Sequence, residues 1–485
     1  MLNTMLSVED LIIDSSKTIK DAMRLIDNNG CGTCFVIDNN KLFGVITDGD
    51  IRRDLIKNND TGRPLSKLIK KEFIYLPIGS KLHEIQDALA DIDFIPIVDN
   101  KNVIVDYASR ARYHQIPLIQ PILDGNELEY ITECINTGWI SSQGSFVRDF
   151  EKNFSKYTNS KYSCTVSNGT VALHLALVTL GIKPNDEVIV PDLTFAAPVN
   201  AVIYSGARPV LVDVDRTTMA IDIDEIKKAI TKKTKAIIPV HLYGHPAPMK
   251  EIMQIAKEYN LIVIEDCAEA LGSFYERKHV GNFGDAGTFS FFGNKTITTG
   301  EGGMIIFKEK KYLDHAMKLR DHGMSRDKRY WHDHIGFNYR LTNLQAAVGV
   351  AQMEKVEKFV KAKQFLANEY SNQFKDTQGL KCPINIGNVS NSYWLYTIVL
   401  DEKLSKHKDK IIELMLKDGV EARPIFNPIH LMPPYKKYNK DSLDFKNSIY
   451  LSESAISLPS GVNMEKKDII RAANSLKYSI KCLVE

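Results

Sequence analysis

The sequence has no apolar run of membrane-spanning length, no basic tract and no even set of closely spaced cysteines. The first absence excludes an ordinary transmembrane helix. The formal net charge of +2 over 485 residues argues against nucleic acid or an anionic membrane as the main partner. Seven scattered cysteines do not make a disulfide framework, and Glu9 and Asp10 stand where a secretory signal would be basic. We therefore expect a cytoplasmic protein that binds small molecules.

Cys31 and Cys34 have the spacing of half a zinc or redox site. No second pair and no histidine cluster accompanies them, and Cys34 opens the apolar run 34–37. We therefore interpret both cysteines as structural residues and predict no metal site.

The length of the chain predicts two to four domains. Residues 18–52 and 79–112 repeat one pattern, in which an amphipathic segment is followed by a strand, an Asp-Asn turn and another strand. Farther along, apolar strands alternate with helical stretches, which indicates an α/β domain with a mainly parallel sheet. The predicted domains are residues 1–112, 115–354 and 355–485, the last being a smaller α/β subdomain.

Lys295 is the candidate reactive residue. It is the one lysine in the run 288–303, where hydroxyls and glycines surround it in an otherwise apolar region. Desolvation would lower the pKa of its amine, which could then lose a proton near neutral pH and condense with an aldehyde. Pyridoxal phosphate (PLP) requires this chemistry. A lysine taken alone, however, is more often a solvated surface residue.

Two residues follow predicted strands and could contact a PLP ring. Asp266 comes after the strand 261–264, at the edge of the sheet where α/β proteins bind ligands, and its carboxylate could hold the ring nitrogen protonated. Phe195 follows the strand 187–190 and could cover one face of the ring. The alternatives are that Asp266 caps the next helix and that Phe195 packs in the core.

A phosphate site is predicted where residues 167–170 precede the strong helix former 171–177. Free amides at a helix start bind anions, Gly169 permits close approach of the backbone, and Thr170 adds a hydroxyl. Ser290, five positions before Lys295, could give a second phosphate contact. An ordinary N-cap at Ser167 or Thr170 is the alternative.

The order of these residues, together with the segments 290–304, 322–325 and 336–347, resembles the sugar-nucleotide aminotransferases of the DegT/StrS family. The resemblance runs from about residue 115 to the end. It implies the PLP-dependent transferase fold type I, which is the aspartate-aminotransferase-like α/β fold. It also implies a homodimer or a higher oligomer.

The resemblance assigns a role to each cofactor residue. The roles are Lys295 as the Schiff-base lysine, Asp266 as the partner of the ring nitrogen, Phe195 as the stacking ring, Gly169, Thr170 and Ser290 as phosphate ligands, and Asn338 as a phosphate ligand from the neighbouring subunit. Glu269 stands near the ring hydroxyl, where many members carry glutamine or histidine, so its role is left open.

Substrate contacts are predicted from position along the chain. An arginine fork can bind a diphosphate in bidentate fashion, and strand ends and aromatic loops can wall a sugar site. The candidates are Trp139, Ser141, His241, Tyr339, Arg340 and His430. Each could equally be a surface or packing residue, and for His241 a core position is the specific alternative.

The first 110 residues or so resemble a pair of CBS motifs, an α+β regulatory module that often binds adenosine nucleotides. In that family a hydroxyl and a carboxylate three residues later grip the ribose, and Thr47 and Asp50 supply this pair. The second repeat has Ser109 and Arg112 instead, so at most one such site is expected. A docking or dimerisation module that binds nothing is the alternative.

The resemblance to the DegT/StrS family implies a reaction that moves an amino group from glutamate to C4 of a nucleotide-linked 4-keto-6-deoxy sugar. Local likeness favours a GDP-mannose-derived ketone, and adenine nucleotide at the CBS pair could modulate turnover. A sugar 3-dehydratase of the same fold is one alternative, but those relatives carry histidine where this chain has Lys295. A nucleotide-sensing regulator is the other alternative.

Overall fold

The computed structural model describes residues 6–69, 72–89, 92–113, 115–325, 327–438 and 444–484. The chain divides into two compact units, Met1–Ile116 with Leu416–Val420, and Pro117–Met415 with Glu421–Glu485. All seven cysteines are free. Among the helices in the described ranges, none has the length and apolar character needed to cross a membrane.

The first unit contains the sequence repeat as two three-stranded sheets. In each sheet the middle strand pairs parallel with the preceding strand and antiparallel with the following one. The strands are β1 (Ile12–Asp14), β2 (Thr33–Asp38), β3 (Lys41–Thr47), β4 (Leu76–Pro77), β5 (Phe94–Val98) and β6 (Ile104–Ser109). The helices are α1 (Ile19–Asn29), α2 (Asp48–Asn58), α3 (Leu82–Ala88) and α4 (Arg110–Tyr113). The two halves therefore share one topology, as the repeat predicts.

Helix α1 shows why this repeat folds locally. The Thr18 hydroxyl caps its start by accepting the N–H of Asp21, and Gly30 ends it in the left-handed conformation, with φ 65°. Ile19, Ala22 and Ile26 recur at helical spacing and are buried.

The second unit is built on a seven-stranded sheet in the order β7-β15-β14-β11-β10-β8-β9. Six strands run parallel, and β15 is the antiparallel one. The strands are β7 (Tyr162–Val166), β8 (Glu187–Pro191), β9 (Arg208–Val212), β10 (Thr234–Ile237), β11 (Ile262–Asp266), β14 (Ala286–Ser290) and β15 (Gly303–Phe307). All residues of β8 and β15 are buried, because both faces of the sheet are covered.

Helices surround this sheet. They are α5 (Glu127–Thr137), α6 (Ser145–Thr158), α7 (Gly169–Thr179), α8 (Ala197–Tyr204), α9 (Ile223–Ala229), α10 (Met249–Tyr259), α11 (Lys310–Leu319) and α12 (Asn343–Met353). Helix α7 is apolar almost all round and is buried, as expected for a helix in the middle of a domain.

The later part of this unit carries an antiparallel sheet in the order β16-β18-β20-β19. Its strands are β16 (Leu380–Lys381), β18 (Tyr396–Leu400), β19 (Arg423–Pro424) and β20 (Ala455–Leu458), and a separate three-stranded ribbon is formed by β12 (Phe274–Tyr275), β13 (Lys278–His279) and β17 (Val389–Ser390). The helices are α13 (Val356–Phe374), α14 (Glu402–Ser405), α15 (Lys408–Lys417), α16 (Lys446–Ser454) and α17 (Lys466–Val484). A boundary at residue 355 stays a prediction.

The strands expected from apolar runs are present with shifted ends. Strand β10 ends at Ile237, two residues before Pro239, which has no N–H to donate to a ladder. Strand β11 runs on to include Asp266 as its last residue.

Candidate active site

The candidate site lies at the carboxyl edge of the seven-stranded sheet. Strands β7, β8, β11 and β14 are parallel, so their carboxyl ends meet at one edge. The predicted residues Gly169, Thr170, Phe195, Asp266, Glu269, Ser290 and Lys295 all follow or end these four strands.

The phosphate residues meet at the start of α7. Asn168 is the N-cap, since its Oδ1 accepts the N–H of Val171 at 3.0 Å, so the N-cap interpretation of Ser167 or Thr170 is wrong. The amides of Gly169 and Thr170 open the helix and have no acceptor within it. A Cβ added to Gly169 would lie 2.8 Å from Cβ of Ser290. The glycine therefore lets the helix start approach Ser290, which forms a cradle for an anion.

Lys295 is desolvated, as its neighbours in sequence predict. Its Nζ lies 3.6 Å from Oε1 of Glu269 and 3.9 Å from the ring centroid of Trp394, and its side chain is 13% exposed. Burial lowers the pKa of the amine, while the carboxylates of Glu269 and Asp266 oppose this shift. The amine can therefore release a proton more easily than a surface lysine can.

Asp266 presents a buried carboxyl group at the same edge. It is 5% exposed, and its Oδ1 accepts the N–H of Ala268 at 3.0 Å. Burial raises the pKa of Asp266, whereas the Ala268 N–H and the charge of Lys295 lower it. No helix follows β11 in this stretch, because residues 267–272 form turns. The interpretation of Asp266 as a helix cap is therefore wrong.

Glu269 joins Lys295 to a backbone amide. Its Oε2 accepts the N–H of Tyr243 at 2.8 Å, while Oε1 faces the amine of Lys295. Burial raises the pKa of Glu269 to about 7, against the lowering effect of Lys295. When it is protonated, the carboxyl group can donate a hydrogen bond as well as accept one.

Phe195 is 59% exposed, which favours a face-covering ring over the core alternative. It begins a series of aromatic rings that the sequence did not reveal. Centroids are 5.7 Å apart from Phe195 to Phe426, 5.6 Å from Phe426 to Tyr243 and 6.1 Å from Tyr243 to Trp394. The series leads from the exposed ring to the amine of Lys295.

His241 does not form a wall. The side chain is fully buried, and its Nδ1 accepts the N–H of Ala247 at 2.9 Å. The Nε2 therefore carries the proton and donates it to Glu265 at 3.2 Å. Cys267 completes a close group with these two, but hydrogen bonds already occupy the histidine. The prediction of a substrate contact at His241 is corrected to a core histidine.

His430 is likewise a packing residue. Its Nδ1 lies 2.7 Å from Oδ2 of Asp192, and its ring stacks on Phe445 with centroids 4.4 Å apart. The side chain is only 8% exposed. The predicted wall position is therefore corrected, because the carboxylate of a buried aspartate holds this ring in the core.

Trp139 and Ser141 lie in an exposed loop, as a wall requires. Asn343 fixes this loop, since its Nδ2 donates to the carbonyl of Trp139 at 2.7 Å and its N–H donates to that of Ser141 at 3.0 Å. Trp139 also lines a cavity of about 360 Å³ together with Arg148. The two residues stay candidate substrate contacts.

Tyr339 and Arg340 are placed differently from each other. The carbonyl of Tyr339 accepts the N–H of Ser167 at 2.9 Å, and its hydroxyl lies 3.1 Å from Nδ1 of His174, so it supports the phosphate loop. Arg340 pairs with Asp321 at 3.1 Å and is partly exposed. A diphosphate at Arg340 would have to compete with this carboxylate.

In the first unit, Thr47 and Asp50 form a capping box at the start of α2. The Thr47 hydroxyl donates to Oδ2 of Asp50 at 2.7 Å and accepts the N–H of Asp50 at 3.3 Å. Oδ1 of Asp50 pairs with Arg53 at 2.8 Å. This hydroxyl and carboxylate cap the start of α2, and their binding to the ribose of a nucleotide stays a prediction.

The residues at the sheet edge fit PLP. The cradle at Gly169 suits its phosphate, Phe195 offers a flat face, and the amine of Lys295 suits its aldehyde. Two buried atoms beside them, Oγ1 of Thr194 and Oδ1 of Asn294, have no hydrogen-bond partner among the described residues. Sheet and site together define a PLP-dependent enzyme of fold type I.

Comparison with known proteins identifies the family. The model of the DegT/DnrJ/EryC1/StrS aminotransferase family matches residues 121–477, and that of the CBS domain matches residues 6–57. The chain is 44% identical to the GDP-perosamine synthase of Escherichia coli O157:H7 over 369 residues, which covers 76% of this chain and 99% of that protein. It is 41% identical to the GDP-perosamine synthase of Vibrio cholerae over 373 residues, covering 76% and 100%.

Solved structures agree with this result. The PLP form of Spr1654 from Streptococcus pneumoniae aligns with a TM-score of 0.72 at 25% identity, covering 76% of this chain and 100% of that chain. The chain belongs to the DegT/DnrJ/EryC1/StrS aminotransferase family, and PLP is its cofactor. The predicted family, fold type, CBS domain and cofactor are thereby confirmed.

Proposed function

We propose that the protein transfers an amino group from glutamate to C4 of GDP-4-keto-6-deoxymannose, which yields GDP-perosamine. The single observation that carries this proposal is the desolvated Lys295 in a chain 44% and 41% identical to two GDP-perosamine synthases. Such a product would serve surface-polysaccharide or O-antigen synthesis, and the reaction would take place in the cytoplasm.

The chemistry of each half-reaction follows from the residues at the sheet edge. When bound, PLP supplies an aldehyde that carries the amino group and a ring that accepts electrons. The neutral amine of Lys295 takes the proton from the α-carbon of glutamate and later delivers a proton to C4 of the sugar. Asp266 would keep a proton on the ring nitrogen by its buried negative charge. The start of α7 and Ser290 would hold the phosphate.

Glu269 and Phe195 have supporting roles beside Lys295. Because Oε1 of Glu269 faces Lys295 and burial raises the pKa of Glu269, the carboxyl group can accept a proton from the amine. The exposed ring of Phe195 would cover one face of the cofactor and exclude water from that face. An amine rather than an imidazole at position 295 favours transamination over 3-dehydration.

A substrate panel tests the proposal. We expect glutamate-dependent amination of GDP-4-keto-6-deoxymannose with a kcat/KM about tenfold or more above that of the UDP- and dTDP-linked 4-keto-6-deoxy sugars. Amino-sugar formation is measured by mass spectrometry, with the Lys295→Ala protein as the blank for each sugar. Turnover of a UDP or dTDP substrate with none of the GDP substrate would contradict the choice of nucleotide.

We also propose a homodimer in which Asn338 reaches the phosphate of the neighbouring subunit's cofactor. Two observations support this arrangement. The side chain of Asn338 is exposed on its own chain, and its backbone is held by a bridge to Asp321. The backbone of Asn338 is therefore fixed in place, and its exposed side chain can reach a neighbouring subunit.

Mixed dimers test the shared site. A heterodimer of a Lys295→Ala chain and an Asn338→Ala chain has one site with both changes and one site with neither. We expect it to show about half the activity of the wild-type dimer, because a symmetric dimer has two equivalent sites. Differently tagged chains allow the heterodimer to be purified. Activity no higher than that of the two mutant homodimers would refute the sharing.

A further inference from the structure

Trp394 touches the reactive amine although it is 99 positions along the chain from Lys295. The Nζ of Lys295 lies 3.9 Å from its ring centroid. The indole Nε1 donates to the carbonyl of Asn294 at 2.7 Å, and the ring of Tyr243 is stacked with the indole at a centroid distance of 6.1 Å. Since Trp394 is only 5% exposed, its ring is fixed at this place.

The backbone of Trp394 is held by a second buried lysine. Lys363, on α13, is fully buried, and its Nζ donates to the carbonyls of Trp394 at 3.0 Å and Ser460 at 2.8 Å. Burial lowers the pKa of Lys363 to about 7. A neutral amine has two N–H donors and an ammonium has three, so both hydrogen bonds persist in either state.

The position of Lys363 follows from the end of the β18–β20 ladder. The last pair in this direction is Tyr396 with Leu458. Pro459 comes next and has no N–H, and the N–H of Tyr396 goes to the hydroxyl of Ser460. The carbonyls of Trp394 and Ser460 lie past the last pair of the ladder and accept hydrogen bonds from the amine of Lys363 instead.

We propose that the ring of Trp394 is the surface on which the amine of Lys295 rests whenever that amine is not bonded to the cofactor, and that Lys363 is the positioning residue that holds this ring in place. The inference rests on the proposed role of Lys295 as the reactive amine. The face of an indole attracts an ammonium, so the ring acts in the same direction as the carboxylates of Glu269 and Asp266 and against desolvation.

The pH dependence of cofactor attachment measures this effect. Apoenzyme is mixed with PLP over a range of pH, and the rate at which visible absorbance develops reports the fraction of Lys295 that is neutral. For Trp394→Leu we expect the midpoint to fall by about half a unit to one unit, which raises the rate below the midpoint by about three- to tenfold. Lys363→Met should shift the midpoint in the same direction but less.

Lys408→Met is the matched control. Its amine donates to the carbonyl of Ser452 at 2.6 Å, so the change also removes a lysine that bonds a backbone carbonyl, but not the carbonyl of Trp394. We expect its midpoint to equal that of the wild type. Trp394→Phe and Lys363→Gln serve if the first variants do not fold, and each should shift the midpoint downward by a smaller amount.

The outcomes separate the two proposals. Wild-type apoenzyme that develops no visible band with PLP would overturn the role of Lys295 itself. A normal band with an unchanged midpoint in a folded Trp394 variant would overturn the resting surface alone. A shift in the Trp394 variant with none in either Lys363 variant would overturn the positioning role of Lys363.

Discussion

Lys295→Ala is expected to abolish amination, with a loss of at least about 10³-fold in kcat, because no other amine replaces the proton carrier. The protein should also lack the visible absorbance that arises when PLP is bonded to a lysine. It should still bind PLP, since the helix start at Gly169 and the hydroxyl of Ser290 are unchanged. Activity assay, absorbance spectrum and equilibrium dialysis of PLP measure these three results.

Lys310→Ala is the control for this change. Lys310 is 70% exposed and pairs with the nearby Asp314 within α11, so its removal should alter neither spectrum nor activity. If Lys295→Ala protein kept a visible cofactor band and measurable turnover, another amine would have to carry the chemistry, and the proposed function would lose its central residue.

Asp266→Asn is expected to lower kcat by about 10²–10³-fold, because an amide of the same shape carries no charge to hold the proton on the ring nitrogen. Thermal stability should change little, since the asparagine has the same shape and its Oδ1 can still accept the N–H of Ala268. Steady-state kinetics and calorimetry of the same preparation measure both quantities. Near-wild-type kcat in a fully loaded Asp266→Asn enzyme would rule out the electron-sink role.

The preceding residue gives a matched contrast. Glu265 is fully buried and its carboxylate accepts the N–H groups of Gly281, Phe283 and Gly284 as well as the proton of His241. Glu265→Gln should therefore cost about 3 kcal/mol of unfolding free energy, because an amide cannot accept all of these bonds. We thus expect Glu265 to contribute to stability and the adjacent Asp266 to contribute to catalysis.

Local patterns were enough to predict that three of the candidate cofactor residues would lie at one edge of the sheet. Gly169, Asp266 and Lys295 each depend on a short segment that ends a strand or starts a helix, and the strands of a parallel sheet bring such ends together without further information. The desolvation of Lys295 also follows from its immediate neighbours in sequence.

Contacts between distant segments were out of reach. His241 and His430 were expected in the substrate wall because nothing in the sequence shows that Glu265 and Asp192 occupy their rings. Nothing in the sequence indicated that Trp394 lies in the site, because a tryptophan beside a strand is usually a core residue. Its ring lies beside the amine because the indole N–H donates to the carbonyl of Asn294, the residue before Lys295.

The antiparallel strand β15 constrains how the reactive lysine can move. Ser290 pairs with Gly303, and the N–H of Phe291 donates to the carbonyl of Gly302, so the segment with Lys295 is a hairpin closed at its base by the sheet. Within it the N–H of Lys295 bonds the carbonyl of Phe292. The main chain at Lys295 is therefore held in place by hydrogen bonds. The side chain of Lys295 therefore has to move its amine between the α-carbon of glutamate and C4 of the sugar by rotation about its own bonds. Opening of the loop is not needed for this movement.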